Sequence, residues 1–184
     1  MRTARWIAML VAGALSLSGC STVSVGDYAD NRPVLQPEQF FDGELSAHGV
    51  IKDRGGRVIR RFTADIQAHW QDGVGTLEED FVFDDGELDR RVWTLRPKGP
   101  GRYSGTAGDV VGEGEIEVAG NSMFLAYVLR IPYGEGTLDL RIDDRMYLVS
   151  ENVLINESKM YKFGFRVGEI LLVIRRHGVP GERG

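Results

Sequence analysis

The chain has 184 residues, with 22 Lys and Arg against 27 Asp and Glu and a formal charge of -5. An acidic balance argues against a nucleic-acid groove, for which a basic face is needed. The single cysteine leaves no internal disulfide to form, so a packed core has to hold the fold.

Residues 1–19 read as a secretory signal. Arg2 and Arg5 supply the positive start, Trp6 to Leu17 is apolar but too short to span a membrane, and Leu17-Ser18-Gly19-Cys20 comes directly after it. This matches a lipoprotein cleavage motif, which predicts cleavage before Cys20 and acylation of that residue. Losing Arg2 and Arg5 takes the formal charge from -5 to -7. Each buried methylene contributes about 0.8 kcal/mol, and more than one acyl chain makes anchoring stable. A membrane is therefore an expected partner through Cys20. Ser21 in place of Asp points to the outer membrane, facing the periplasm.

Residues 20–37 are polar, carry Pro33 and Pro37, and read as the lipidated cysteine and a tether. One domain is expected over 38–175, with 176–184 as a tail. Pro37 to Phe41 suits one helical turn, with Phe40 and Phe41 plugging an end of that domain. Val58 to Trp70 alternates clearly: Val58, Phe62, Ala64, Ile66, Ala68 and Trp70 share one face, with polar residues opposite. Arg60 falls on the apolar face. Leu77, Phe81 and Phe83 share a face with Glu79. Asp85-Gly86 between two alternating runs predicts a hairpin over Glu78 to Trp93. There the apolar pattern groups Leu88, Arg90 and Val92, which turns Arg90 inward and leaves Arg91 outside.

Met123, Leu125, Tyr127, Leu129 and Ile131 form another alternating face. Asp143-Asp144 reads as a solvated turn, and Gly168-Glu169 as the break between the last two strands. Nine to eleven strands with short turns predict an all-β, antiparallel up-and-down meander closing into a lipocalin-like barrel, since closure removes exposed edges.

No nucleophile motif, metal spacing or phosphate loop is present, so neither a cofactor nor a metal is expected. His48, His69 and His177 are far apart in sequence. Among the carboxylates, Asp109 and Glu79 have the least polar surroundings. An ionised side chain inside a barrel costs several kcal/mol unless paired or wet. Arg60, Glu79 and Arg90 therefore form either an ion-pair network or the polar end of a cavity. In the second case Phe62, Phe81, Tyr127 and Leu129 line its apolar part. Lys162 could meet an anionic head group on the same reasoning.

RRFTADI, EEDFVFDDGELDRRVWTL, GRYSGTAGDVVGE, Gly120-Asn121, DDRMYL and SKMYKFGFRVGEI together resemble, in order, the bacterial lipoprotein family catalogued as domain of unknown function 3833. The similarity runs from about Phe40 to Arg175. Arg145 stands where that family often has Trp. The resemblance implies a lipid-anchored envelope protein with a lipocalin-like fold, and supplies no catalytic residues. Family members often look to be encoded beside lipid-modifying enzymes, which favours a lipid ligand. The expected function is non-enzymatic binding of an apolar or amphipathic molecule at the membrane. The alternatives are a filled barrel that docks an envelope protein through Asp84 to Arg91, and a lipid-acting enzyme using Glu79 or Asp109.

Overall fold

The computed structural model describes residues 22–178. They form ten antiparallel strands: β1 (Gly43–Asp53), β2 (Val58–Gln71), β3 (Val74–Phe83), β4 (Leu88–Gly99), β5 (Arg102–Thr106), β6 (Gly114–Ala119), β7 (Ser122–Tyr133), β8 (Gly136–Ser150), β9 (Val153–Lys162) and β10 (Phe165–Arg176). Each strand pairs with the next, and β10 returns to β1, so the sheet closes as a barrel. The antiparallel meander expected from the alternation is therefore the fold. In β2 the pattern is strict: Phe62, Ala64, Ile66 and Ala68 are buried, while Arg61, Thr63, Asp65, Gln67 and His69 are exposed.

One end of the barrel is closed. A single helical turn, α1 (Pro37–Phe40), precedes β1, with proline at the helix start, where its missing N–H costs nothing. Phe40 and Phe41 are both buried, and each such burial contributes about 1.5 to 3 kcal/mol. The Trp70 indole N–H donates to the Phe41 carbonyl at 2.8 Å, and the Tyr103 hydroxyl donates to Glu38 at 2.5 Å.

Residues 22–36 pack against this end. Within the 3-10 turn Val25–Tyr28, the Tyr28 ring sits 5.7 Å from Phe124 and 5.4 Å from Tyr147, and Leu35 is only 2% exposed. Gly120 admits the segment. Its φ is +53°, and a Cβ there would run into the Tyr28 carbonyl oxygen, while its own carbonyl accepts the Leu35 N–H at 2.8 Å.

Two boundaries differ from the sequence expectation. Asp143 and Asp144 lie inside β8, which continues without a turn to Ser150. The last hairpin turns at Phe163 and Gly164, both at positive φ, rather than at Gly168-Glu169. Exposed Phe163, Phe165 and Val167 mimicked an uninterrupted buried run.

The other end, ringed by the turns at 54–57, 84–87, 134–135 and 163–164, is the mouth. On one side of this half the wall is thin. β5 and β6 are short, so β4 pairs with β5 only from Thr94 onward and β7 pairs with β6 only up to Ala126. Residues 107–113 fill the gap, bound to β7 by a bridge between Val110 and Leu129. Two hydrogen bonds reinforce it: Val111 N–H to the Val128 carbonyl and Arg130 N–H to the Asp109 carbonyl.

Candidate interior site

The inward residues change character along the barrel axis. Toward the closed end, Leu45, Ala64, Ile66, Leu77, Trp93, Leu95, Ile116, Leu125, Leu148, Leu154 and Ile174 pack as one cluster with Phe40 and Phe41. Toward the mouth a second, smaller cluster follows, with Tyr127 packed against both and Phe81 packed against the first. Leu129, Leu140 and Ile142 form their own cluster with Met160 and Ile131. On β2 and β3, Phe62 meets Phe81 and Phe83, each at 5.7 Å between ring centres. Phe62 fits because Gly49, its neighbour on β1, has no Cβ to strike the ring.

Between floor and mouth lies a layer of polar side chains. Cross-strand partners share a face, so the register places Glu79 opposite Arg91 with both inward, above the Leu77 and Trp93 pair. Arg91 grips Asp109 of the gap-filling segment: Nε is 3.1 and 2.9 Å from the two carboxylate oxygens, and Nη2 is 2.7 Å from Oδ2. The Arg91 side chain is 19% exposed and that of Asp109 32%. Burial works against the Arg91 charge, but the bond to Asp109 and the surrounding negative groups more than offset it, and its pKa rises. From β8, Asp144 is 5% exposed; its Oδ1 accepts from the Asn156 amide and, at 2.7 Å, from the Ser158 hydroxyl.

The side chains of Glu79 and Tyr127 face the same layer and make no hydrogen bond to the described residues. Each is only partly buried. Burial, reinforced by Asp144 and Asp109 and only partly relieved by Arg91, pushes the Glu79 carboxyl up to about 7. Burial also pushes Asp144 up to about 6, against its two hydrogen bonds and Arg91. The Tyr127 phenol is raised by burial and by Asp144, and stays protonated. Its ring meets Trp93 edge-on at 5.2 Å.

Phe62, Glu79, Phe81, Tyr127 and Leu129 thus all line the interior, as the alternation indicates. Arg60 is also inward, but at the rim, and it is engaged there. Its Nη2 donates to Asp85 at 2.8 Å and Glu87 at 2.6 Å, and the guanidinium lies 3.6 Å over the Phe83 ring. It holds the β3–β4 hairpin tip rather than a free interior position. Arg90 is on the outside, paired with Asp80 at 3.2 Å and with Glu78. The expected inward arginine is its neighbour Arg91, which also removes Arg91 from the exposed docking face. Leu88, 73% exposed, and Val92 are apolar outward residues, and they set the wrong parity. Counting across the ladder from Leu77 to Trp93 gives the right one. Lys162 Nζ donates to the Asp139 carbonyl at 2.8 Å near the mouth. Asp144, Asn156 and Ser158 carried no signal beyond alternation with Ile142 and Leu154. His48 and His69 are exposed on outward positions, and His177 Nε2 lies 2.9 Å from Ser46 Oγ. Cys20 lies outside the described residues.

The model of the family described as protein of unknown function (DUF3833) matches residues 14–176, and the chain belongs to that family. No curated protein matches the sequence. Among solved structures, the S-type phycobiliprotein lyase CPES from Guillardia theta superposes with a TM-score of 0.56 at 10% identity, over 79% of this chain and 94% of that one. A protein of unknown function from the DUF3598 family of Nostoc punctiforme PCC 73102 gives a TM-score of 0.57 at 17% identity, over 79% of this chain and 51% of that one. Rv2717c from M. tuberculosis gives 0.53 at 17% identity, over 81% and 100%. These likenesses are of fold.

Proposed function

We propose that this member of the DUF3833 family is a lipid-anchored envelope protein that holds an amphipathic molecule in the mouth half of its barrel. One observation carries the reading: between the apolar cluster of the closed end and a second apolar cluster toward the mouth lies a layer of inward polar side chains, of which Glu79 and Tyr127 have no hydrogen-bond partner among the described residues. A barrel that served only as a rigid module would gain by making this layer apolar, because an unpaired buried carboxyl costs free energy. Apolar walls with a few convergent polar groups at their base suit a molecule with a chain and a polar end.

Anchoring would give the barrel a direction. Acylated Cys20 would be five residues from Val25, a reach of at most about 18 Å, and Val25–Tyr28 packs at the closed end. The mouth would then face away from the membrane that holds the anchor, where it could receive or hand over its contents.

Native mass spectrometry of the full chain, extracted from a bacterial envelope, tests both parts. The expected result is a protein mass carrying acyl groups on Cys20, with a second, non-covalent mass at one-to-one stoichiometry. A bare protein mass that stays bare after incubation with envelope lipids would overturn the carrier reading and favour the filled barrel that docks a protein. An unmodified cysteine would remove the anchor.

A further inference from the structure

We propose that the polar end of the bound molecule is an ammonium group, held by the carboxylates of Glu79 and Asp144 beside the Tyr127 hydroxyl. This deepens the carrier reading and rests on it.

The charges in the layer are unbalanced. Glu79 from β3, Asp109 from the segment 107–113 and Asp144 from β8 face one guanidinium, that of Arg91 from β4. Three contacts commit that guanidinium to Asp109. The remaining inward groups of the layer, Tyr127 on β7 with Asn156 and Ser158 on β9, are neutral, and the last two already donate to Asp144. Arg91 is the one cation of this layer among the described residues; Arg60 and Lys162 lie above it at the rim, where Arg60 is taken by Asp85 and Glu87 and Lys162 donates to the Asp139 carbonyl. An anionic head group would therefore meet two unneutralised carboxyls, whereas an ammonium supplies the N–H donors that Glu79 lacks. The apolar chain would run toward the mouth between Phe62 with Phe81 and Leu129 with Met160. Without ligand the layer relieves its charge by protonation, as the raised affinity of Glu79 and Asp144 for protons indicates. An entering ammonium would take the place of that proton.

The test compares three probes of equal chain length, dodecylammonium, dodecanol and dodecanoate, each below its micelle concentration. The full chain is titrated at pH 8, with tryptophan fluorescence reporting through Trp93, which touches Tyr127. Dodecylammonium should bind at least about tenfold more tightly than dodecanoate, the size expected of one charge-assisted hydrogen bond. Glu79→Gln should remove most of that preference, and Asp144→Asn should reduce it. A cooperative urea transition for each variant reports that it remains folded. Lowering the pH to 5.5 should weaken the amine but not the alcohol. Equal binding of all three probes, or a preference for dodecanoate, would overturn the ammonium assignment and leave the carrier reading standing. Binding of none would overturn both.

Discussion

Adjacent arginines on one strand have opposite fates, and the difference is a matter of which side of a pleat each occupies. Arg90 pairs with Asp80 and Glu78 where water already screens the charges, and exposed pairs of this kind contribute little. Arg91 pairs with Asp109 and is the one cation of the interior layer among the described residues, so its removal leaves Asp109, Glu79 and Asp144 without a counter-charge. Arg90→Ala should therefore change unfolding free energy by less than about 1 kcal/mol. Arg91→Ala should cost roughly 3 kcal/mol, at the low end for a broken buried pair because Asp109 retains some water. Urea unfolding of the two variants at pH 8 reads both numbers. Equal losses would mean that Arg91 is not the interior counter-charge the register makes it.

Between strands, the most specific fit is the docking of residues 22–36 under the β6–β7 turn. Ala at position 120 would have to adopt φ near +53° and also displace the Tyr28 carbonyl, so Gly120→Ala should destabilise by more than about 1 kcal/mol. The segment should also come loose. Chymotrypsin should then cut after Tyr28 faster in the variant than in the wild type, with the barrel fragment surviving. Unchanged cleavage would show that the contact does not hold the segment down. At this scale the sequence is most informative where one face is buried and the other wet. The alternation of β2 places Phe62 because its outward positions from Arg61 to His69 are polar and exposed, and in β7 the large inward residues Met123, Leu125, Tyr127 and Leu129 carry the same sign. It fails in β4 and at the β9–β10 turn, where outward Leu88, Val92, Phe163 and Phe165 are apolar and alternation alone carries no sign. Only the ladder, which couples β4 to Leu77 and Glu79 on β3, resolves it. Asp144 escaped for the opposite reason. A doubled aspartate usually marks a solvated turn, and its hydrogen bonds to Asn156 and Ser158 come from a neighbouring strand whose register is settled only by folding.

For the molecule as a whole, the interior acids set the direction of its pH response. Glu79 binds its proton up to about pH 7 in the fold, but a carboxyl of its type loses it near 4.5 in the unfolded chain. Between these values the folded state holds more protons than the unfolded one, so stability falls as pH rises through this window. Asp144, at about 6 against 3.8, acts in the same direction at slightly lower pH. Surface acids act oppositely. Hydrogen bonds from the Arg57 backbone and the Arg61 backbone hold Asp53 and Asp84 below the ordinary carboxylate range, and their contribution is lost only as pH falls through those low values. The unliganded protein should therefore be most stable in mild acid and weaken toward pH 8. Glu79→Gln, which has nothing to ionise, should match the wild type near pH 4.5 and exceed it at pH 8 by up to about 3 kcal/mol. Urea midpoints at pH 4.5, 6 and 8 for both proteins decide the matter. A wild type more stable than the variant at pH 8 would mean that Glu79 is ionised and paired in the fold, and that the interior is not short of positive charge.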